Sequence, residues 1–337
     1  MIRKVLAAAL VLIAVAILLV AVWPQLFGLQ DAPIIAQVVS LRGLDIAIAL
    51  ALVIVLALLA AAWRGGRRFL GLLVVLLLAF CGVSVAILAA RGFGGNHGTA
   101  KAASNVTVLS WNTEGGKPGA AEIARLALAE HADVITLPET THATGLAVAA
   151  TLKAAGRPMW VYWAAHGNIY QSHATTLLIS SSLGRYTVDT TAGDTSVLSS
   201  IIARPDSGTG PTIVAVHAVS PKPDEMRNWR ADLAFLSRTC AGSNLIMSGD
   251  FNSTLDELES LSTEPGAQFG KCTDAGYAAH SASVGSWPTM IPPLLGAQID
   301  HVMYTGAWKV TSMSVLMTED GAGSDHRPVV ATLASTP

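Results

Sequence analysis

Residues 245–254 read LIMSGDFNST. The apolar run Asn244–Gly249 predicts a buried strand that stops at Asp250, with Asn252 two residues further on. A carboxylate and an amide at the end of a buried strand are well placed for chemistry, because the strand ends of a layered sheet converge on one edge. The same break, from apolar run to carboxylate, amide or imidazole, recurs along the chain. It falls at Asn112 in LSWNTEGG (109–116), at Glu139 in DVITLPET (133–140) and at His217 in VAVHAVSP (214–221). It falls again at Asp300 in QIDHVMY (298–304) and at Asp325 and His326 in GSDHRPVV (323–330).

Between these segments the pattern alternates. Val106–Trp111, Val134–Leu137, Thr175–Ser180, Thr212–His217, Gln298–Tyr304 and Val329–Leu333 read as strands. Ala120–His131 and Asp224–Thr239 have helical spacing, the latter with Met226, Trp229, Leu233 and Leu236 at steps of three and four. Sheets covered by helices follow, an α/β layered domain over 106–337 of ordinary domain size.

The N-terminal part is of another kind. The 337-residue chain is 52% hydrophobic and only 13% charged, against about 25% charged in ordinary soluble domains. The excess lies in three apolar runs at about 5–23, 44–63 and 69–90, each near the ~20 residues that cross a bilayer core. Residues 1–91 therefore read as a membrane anchor of three transmembrane helices. Arg3, Lys4, Arg64, Arg67 and Arg68 gather on one side, and Arg42, Arg91 and Lys101 on the other. The side richer in basic residues is the cytoplasmic one. The N-terminus is thus expected in the cytoplasm, and everything after Ala90 outside it at the plasma membrane. Gly92–Asn105, small, polar and Gly-rich, reads as a flexible tether.

The net charge of −2 averages two unlike parts. Residues 102–337 hold 13 basic and 21 acidic residues, about −8. Duplex-gripping nucleases usually present a basic face to the phosphates; this domain is short of that charge and carries no strong nucleic-acid-binding signal.

The ordered segments at Asn112, Glu139, His217, Asp250/Asn252, Asp300 and Asp325/His326 resemble the endonuclease/exonuclease/phosphatase (DNase I-like) superfamily across essentially the whole outer domain. That resemblance implies a four-layered α/β sandwich and a hydrolase of phosphate esters or anhydrides dependent on Mg²⁺ or Mn²⁺. One departure is Pro138, standing where the family commonly has Gln before the metal-binding Glu. The three spans ahead of such a domain resemble the arrangement of VanJ-type membrane proteins linked to glycopeptide-antibiotic resistance.

The residue chemistry agrees with what the resemblance implies. Glu139 is a hard oxygen ligand, Asn112 would hold that carboxylate or the water shell, and Asp325 would complete the metal side. Asp250 would orient and deprotonate a water, with Asn252 fixing that water or a phosphate oxygen. His217 and His326 would donate to phosphate oxygens, and Asp300 would accept from the His326 ring and keep it cationic. Trp287, in Trp287–Pro288–Thr289, is a candidate substrate contact. His301 is expected on the opposite strand face from Asp300, and His142, His166, His173 and His280 read as loop residues without a role. Cys240 and Cys272, both on the oxidising side, are expected to form a disulfide across the Asp250 segment.

The expected partner is a phosphorylated substrate, and a short tether to a membrane favours a lipid-linked one, such as a polyprenyl pyrophosphate or a phospholipid. Two other readings stand beside it: an extracytoplasmic nuclease using the same residues, and a non-catalytic binding or sensor module.

Overall fold

The computed structural model describes residues 2–94, 105–167 and 171–336. Four helices come first: α1 (Ile2–Val22), α2 (Ile35–Ser40), α3 (Arg42–Ala62) and α4 (Arg67–Arg91). Among the described residues, Lys4–Val22, Arg42–Ala62 and Arg67–Arg91 are each long and apolar enough to cross a membrane. The short α2 lies in the connection between the first two, which the sequence pattern did not reveal.

The second part begins with β1 (Asn105–Ser110), α5 (Gly119–Ala129), β2 (Val134–Pro138), α6 (His142–Ala154), β3 (Met159–Ala165) and β4 (Ala174–Ser180). It continues with β5 (Tyr186–Val188), β6 (Ile201–Pro205), β7 (Thr212–His217), α7 (Met226–Thr239), β8 (Leu245–Asp250) and α8 (Leu255–Leu258). It closes with β9 (Thr273–Asp274), α9 (Ala275–Ala278), β10 (Asp300–Tyr304), β11 (Trp308–Val315) and β12 (Val329–Ser335). His142, expected in a loop, is the first residue of α6.

One sheet has the order β11-β12-β1-β2-β4-β3 and the other β5-β6-β7-β8-β10-β9. Side chains alternate across each strand, and the burial follows. Val106 and Val108 of β1 face the other sheet, meeting Ile213, Ala215, Ile246 and Val302 in a shared core. Leu109 and Trp111 turn the other way, onto Ile123, Leu126, Val148 and Leu152 of α5 and α6. On the far side, Val214, Val216 and Met247 pack against Trp229, Leu233 and Leu236 of α7. The result is helix, sheet, sheet, helix: the four-layered sandwich the sequence predicts.

The anchor and the sandwich are joined by a buried ion cluster. Asp256, in the first turn of α8, accepts from Arg42 Nε and Nη2 at 2.9 and 2.6 Å and from Arg91 Nη1 and Nη2 at 2.8 and 2.9 Å. Burial alone would raise the Asp256 carboxyl, but Arg91 and Arg42 overrule it and hold it well below the usual carboxylate range. A group depressed in this way contributes its full stability above its unfolded value, about 3.9, and loses it only as the pH falls through the lower folded value. Around it, Ser40 donates to Glu257 at 3.0 Å, Gln25 to the Asp256 carbonyl at 2.8 Å, and Ser283 to the Leu88 carbonyl at 2.7 Å.

This docking corrects the reading of a tether that is free from its start. The Arg91 and Gly92 carbonyls accept from Ala282 and Ser283, and Gly94 N–H donates to His280. Residues 95–104 of the expected linker lie outside the described residues.

Cys240 and Cys272 are joined by a disulfide, with Cα atoms 5.9 Å apart. It closes a segment that contains β8, worth about 3–4 kcal/mol by loop entropy.

Two outcomes are expected. Asp256→Ala strands two buried guanidinium groups and should cost about 3–5 kcal/mol, seen as a lower melting midpoint of the detergent-solubilised chain; an unchanged midpoint would contradict the cluster's role. Thiol titration of the denatured, unreduced chain should find Cys81 alone, and all three cysteines only after reduction.

Candidate active site

Strand direction brings the chemistry-bearing residues together. β1 and β2 are parallel, so Asn112 and Glu139 follow neighbouring strand ends. β7 and β8 are also parallel, and His217 pairs with Asp250 at their ends. β10 runs antiparallel to β8, so its first residue, Asp300, pairs with Asp250. β12 runs antiparallel to β1 and begins at Val329 opposite Ser110, which sets Asp325 and His326 at the same edge. All but Asp300 of these residues line one cleft of about 720 Å³, together with Asn252 and Trp287.

His326 is the centre of the charge arrangement. Its Nδ1 lies 2.8 Å from Asp300 Oδ2, and its Nε2 lies 3.8 Å from Asp250 Oδ2 and 3.9 Å from Asp325 Oδ1. Burial works against a charged ring, but the Asp300 and Asp250 carboxylates and the Asp300 hydrogen bond outweigh it, raising His326 to about 10. Trp111 Nε1 donates to the His326 carbonyl at 2.9 Å and fixes the backbone there. Two backbone N–H groups, of Ile299 and Asp300, donate to Ser286 Oγ and seat Asp300.

Asp250 is held from two sides. Asn112 Nδ2 donates to it at 2.9 Å and reaches Glu139 at 3.3 Å, so this amide bridges two carboxylates. Asn252 donates its backbone N–H to Asp250 Oδ1 and its side-chain amide to Oδ2 and to the Ala218 carbonyl. The Asn252 nitrogen thus orients Asp250, where the sequence reading had assigned it to water or phosphate. Burial pushes Asp250 up, with His326 opposing and Asp300 adding, to about 7. Such a carboxylate is matched to taking up a proton near neutrality.

His217 behaves differently from His326. Burial, then the charges of His326 and His173, lower it to about 3, so the ring is neutral. Its Nδ1 faces Thr175 Oγ1 at 3.3 Å, while its buried Nε2 has no partner among the described residues. A hydrogen bond accepted at Nδ1 leaves Nε2–H as a donor toward the cleft.

Asp250, Asp300 and His326 each offer a ligand atom, all within 4.8 Å of one another. A protonated His326 cannot ligate a cation, so this trio reads as an ion cluster, with His326 hydrogen-bonded to Asp300 and 3.8 Å from Asp250. The acceptor-only oxygens suited to Mg²⁺ or Mn²⁺ belong to Glu139 and Asp325. Burial raises the Glu139 carboxyl, Asn112 and His326 pull it down, and the Asp325 and Glu114 carboxylates push it up again. Gathered acidic oxygens of this kind fit a divalent cation. Asp325 is 45% exposed, and its second oxygen accepts from Trp287 Nε1 at 2.9 Å, which ties the expected substrate contact Trp287 to the acidic side.

Sequence reasoning passed over Glu114, although it lies inside LSWNTEGG. Its backbone N–H donates to Asn112 Oδ1, and its carboxylate accepts from Asp325 N–H at 2.9 Å. Glu114, Glu139 and Asn252 all have positive φ, 47°, 57° and 47°, a strained backbone that collects at functional sites. Ser172, His173 and Lys222 also line the cleft without having been assigned a role. His301 lies on the opposite face, as alternation requires, with Nδ1 2.8 Å from Asp274 and Nε2 2.9 Å from the Ser253 carbonyl. Pro138 loses nothing on its acceptor side, since its carbonyl takes the Thr113 N–H at 3.1 Å.

Comparison with solved structures finds the same fold at low identity. D. rerio TDP2 humanised by 14 mutations has a TM-score of 0.53 at 16% identity, covering 69% of this chain and 100% of its own. An endonuclease/exonuclease/phosphatase from Beutenbergia cavernae DSM 12333 gives 0.51 at 17%, covering 69% and 72%. D. rerio TDP2 complexed with single strand DNA product gives 0.52 at 15%, covering 69% and 100%. No curated protein sequence matches. The model of the Endonuclease/Exonuclease/phosphatase family, generally metal-dependent phosphoester hydrolases, matches residues 109–326, and the chain belongs to that family.

Proposed function

We propose that the chain is a membrane-anchored, extracytoplasmic phosphohydrolase that cleaves a lipid-borne phosphate ester or anhydride. The observation that carries this reading is the composition of the cleft wall. Gln37, Ser40 and Leu41, from the segment joining the first two apolar helices, line the same cleft as Asp250, His217 and His326. A cleft walled by the anchor lies where the anchor leaves the bilayer, so a phosphate carried on a lipid reaches it without leaving the membrane surface. The same architecture supports a place among VanJ-type membrane proteins.

Two features support the extracytoplasmic side. The Cys240–Cys272 disulfide suits an oxidising compartment. Arg42 and Arg91, two of the basic residues on that side, share the Asp256 carboxylate, which offsets part of their charge and sharpens the asymmetry with the Arg64, Arg67 and Arg68 side.

Hydrolysis then follows from the charges in place. Asp250, held by Asn112 and Asn252, accepts the proton of a water attacking phosphorus in line. The His326 cation, fixed by Asp300, and the neutral His217 donate to phosphate oxygens as negative charge builds on them. Glu139 and Asp325 would hold Mg²⁺ or Mn²⁺, which would supply further positive charge to the bound phosphate. The neighbouring carboxylates repel a bare polyanion, in keeping with the −8 of the outer domain and against a long nucleic acid.

With the full chain in lipid vesicles, phosphate release from a lipid pyrophosphate or phospholipid should require Mg²⁺ or Mn²⁺ and stop with a chelator. Asp250→Asn should lower kcat by about 10²–10⁴, and His326→Gln by about 10²–10³, with circular dichroism unchanged. Brisk cleavage of DNA that falls steeply with salt, with no release from any lipid phosphate, would replace the lipid reading by the nuclease one. Turnover unaffected by either substitution would refute the site.

A further inference from the structure

We propose that the loop Pro288–Gly296 is a rigid wedge that inserts into the leaflet facing the catalytic domain, beside the second apolar helix. The inference rests on the reading that the anchor helices cross a membrane, and it adds a second, non-helical membrane contact next to the cleft.

The loop has the composition of a lipid-facing surface. From Ser286 to Gln298 the chain reads SWPTMIPPLLGAQ, with no charged residue. Met290 is 86% exposed and Leu294 51%, and Pro292 is exposed between them. Large apolar side chains left in water on an otherwise acidic domain call for an apolar partner.

Its position says which partner. The Leu294 backbone presses on Gly43 in the first turn of α3, so closely that a methyl group at Gly43 would collide with the Leu294 carbonyl. The first large apolar residue exposed on α3 is Ile48, five residues further on and about 7.5 Å along the helix axis. Interfacial segments bury their apolar side about 5–10 Å into the headgroup and acyl boundary. The Leu294 backbone therefore lies within about 7.5 Å, along the helix axis, of the first exposed apolar residue of α3, inside the ~5–10 Å reach of an interfacial segment, and a bilayer around α3 is the apolar surface next to the loop.

The loop is also built to keep its shape under that contact. Its stem is closed by two hydrogen bonds between Trp287 and Ala297, 3.0 and 2.7 Å, and both residues line the cleft. From beneath, the fully buried Arg327 donates to the carbonyls of Gly285, Pro288, Thr289 and Ile291 while paired with Asp320. Arg327 directly follows His326, so wedge and catalytic cation are fixed to one another. A lipid phosphate beside the wedge is then at a set height relative to the cleft.

The test uses the full chain in phosphatidylcholine/phosphatidylglycerol nanodiscs, in a Cys81→Ala background. An environment-sensitive NBD label is placed by Met290→Cys or Leu294→Cys, with Leu52→Cys in α3 and Ser207→Cys in the β6–β7 turn as references. Labels at 290 and 294 are expected to emit to the blue of the 207 label and to be quenched by lipids carrying a doxyl group near the headgroup. Water-like, unquenched emission at both 290 and 294 while the 52 label is quenched would overturn the wedge alone. Loss of quenching at 52 as well would overturn the wedge together with the membrane-anchored reading beneath it.

Discussion

The Asp256 carboxylate sits at the centre of the contact between the two parts of this protein. Asp256 receives four charge-assisted hydrogen bonds from Arg42 and Arg91, which mark the start of α3 and the end of α4. Buried charges survive only when paired and hydrogen-bonded, so the cluster tolerates little displacement of either helix. Asp256 is six residues beyond Asp250, on the short helix that follows the GDFN turn. The placement of the strand end at Asp250 and the placement of the apolar helices are therefore one and the same constraint. With that constraint met, α2 is carried against the cleft, and the wall it contributes comes into place.

Within the site, electrostatics divides the two imidazoles by their neighbours. His326 lies among Asp300, Asp250 and Asp325 and stays charged in spite of its burial. His217, equally buried, has Thr175 as its hydrogen-bond partner, feels the charges of His326 and His173, and stays neutral. One cleft thus offers a fixed cation and a neutral donor, His326 ahead of β12 in one sheet and His217 at the end of β7 in the other. Amides and hydroxyls, from Asn112, Asn252 and Ser286, do the orienting, which lets carboxylates crowd together without losing their directions.

Much of this was legible in the sequence, for a physical reason. Central strands such as Val106–Ser110 and Leu245–Asp250 are buried on both faces and write continuous apolar runs that end abruptly at polar residues. The convergence of Asn112, Glu139, His217, Asp250, Asp300 and His326 follows once those strands are arranged as a layered sandwich. Elements that escaped notice have weaker patterns. β3 is a half-exposed edge strand, and α6 is Ala-rich with only Gly145, Val148 and Leu152 buried, so neither shows a clear period. Glu114 was hidden because its role depends on a positive φ and on the Asp325 backbone, 211 residues away. The docking of Arg42 and Arg91 escaped for a like reason: charge counting sees two outer basic residues, and only the fold reveals their shared carboxylate.

The hydrogen bonds from Ala282, Ser283 and Gly94 that pin the end of α4 to the sandwich have a kinetic meaning. A domain on a loose string sweeps a volume, and its encounters scale with bulk concentration. A domain bolted to its helices would, with those helices in a bilayer, travel by lateral diffusion and sample an area. For a substrate dissolved in the same leaflet, the relevant quantity becomes its mole fraction among the lipids, and diluting the suspension leaves the rate per enzyme unchanged. Such a catalyst would respond to the composition of the membrane it sits in and be indifferent to the volume of water outside.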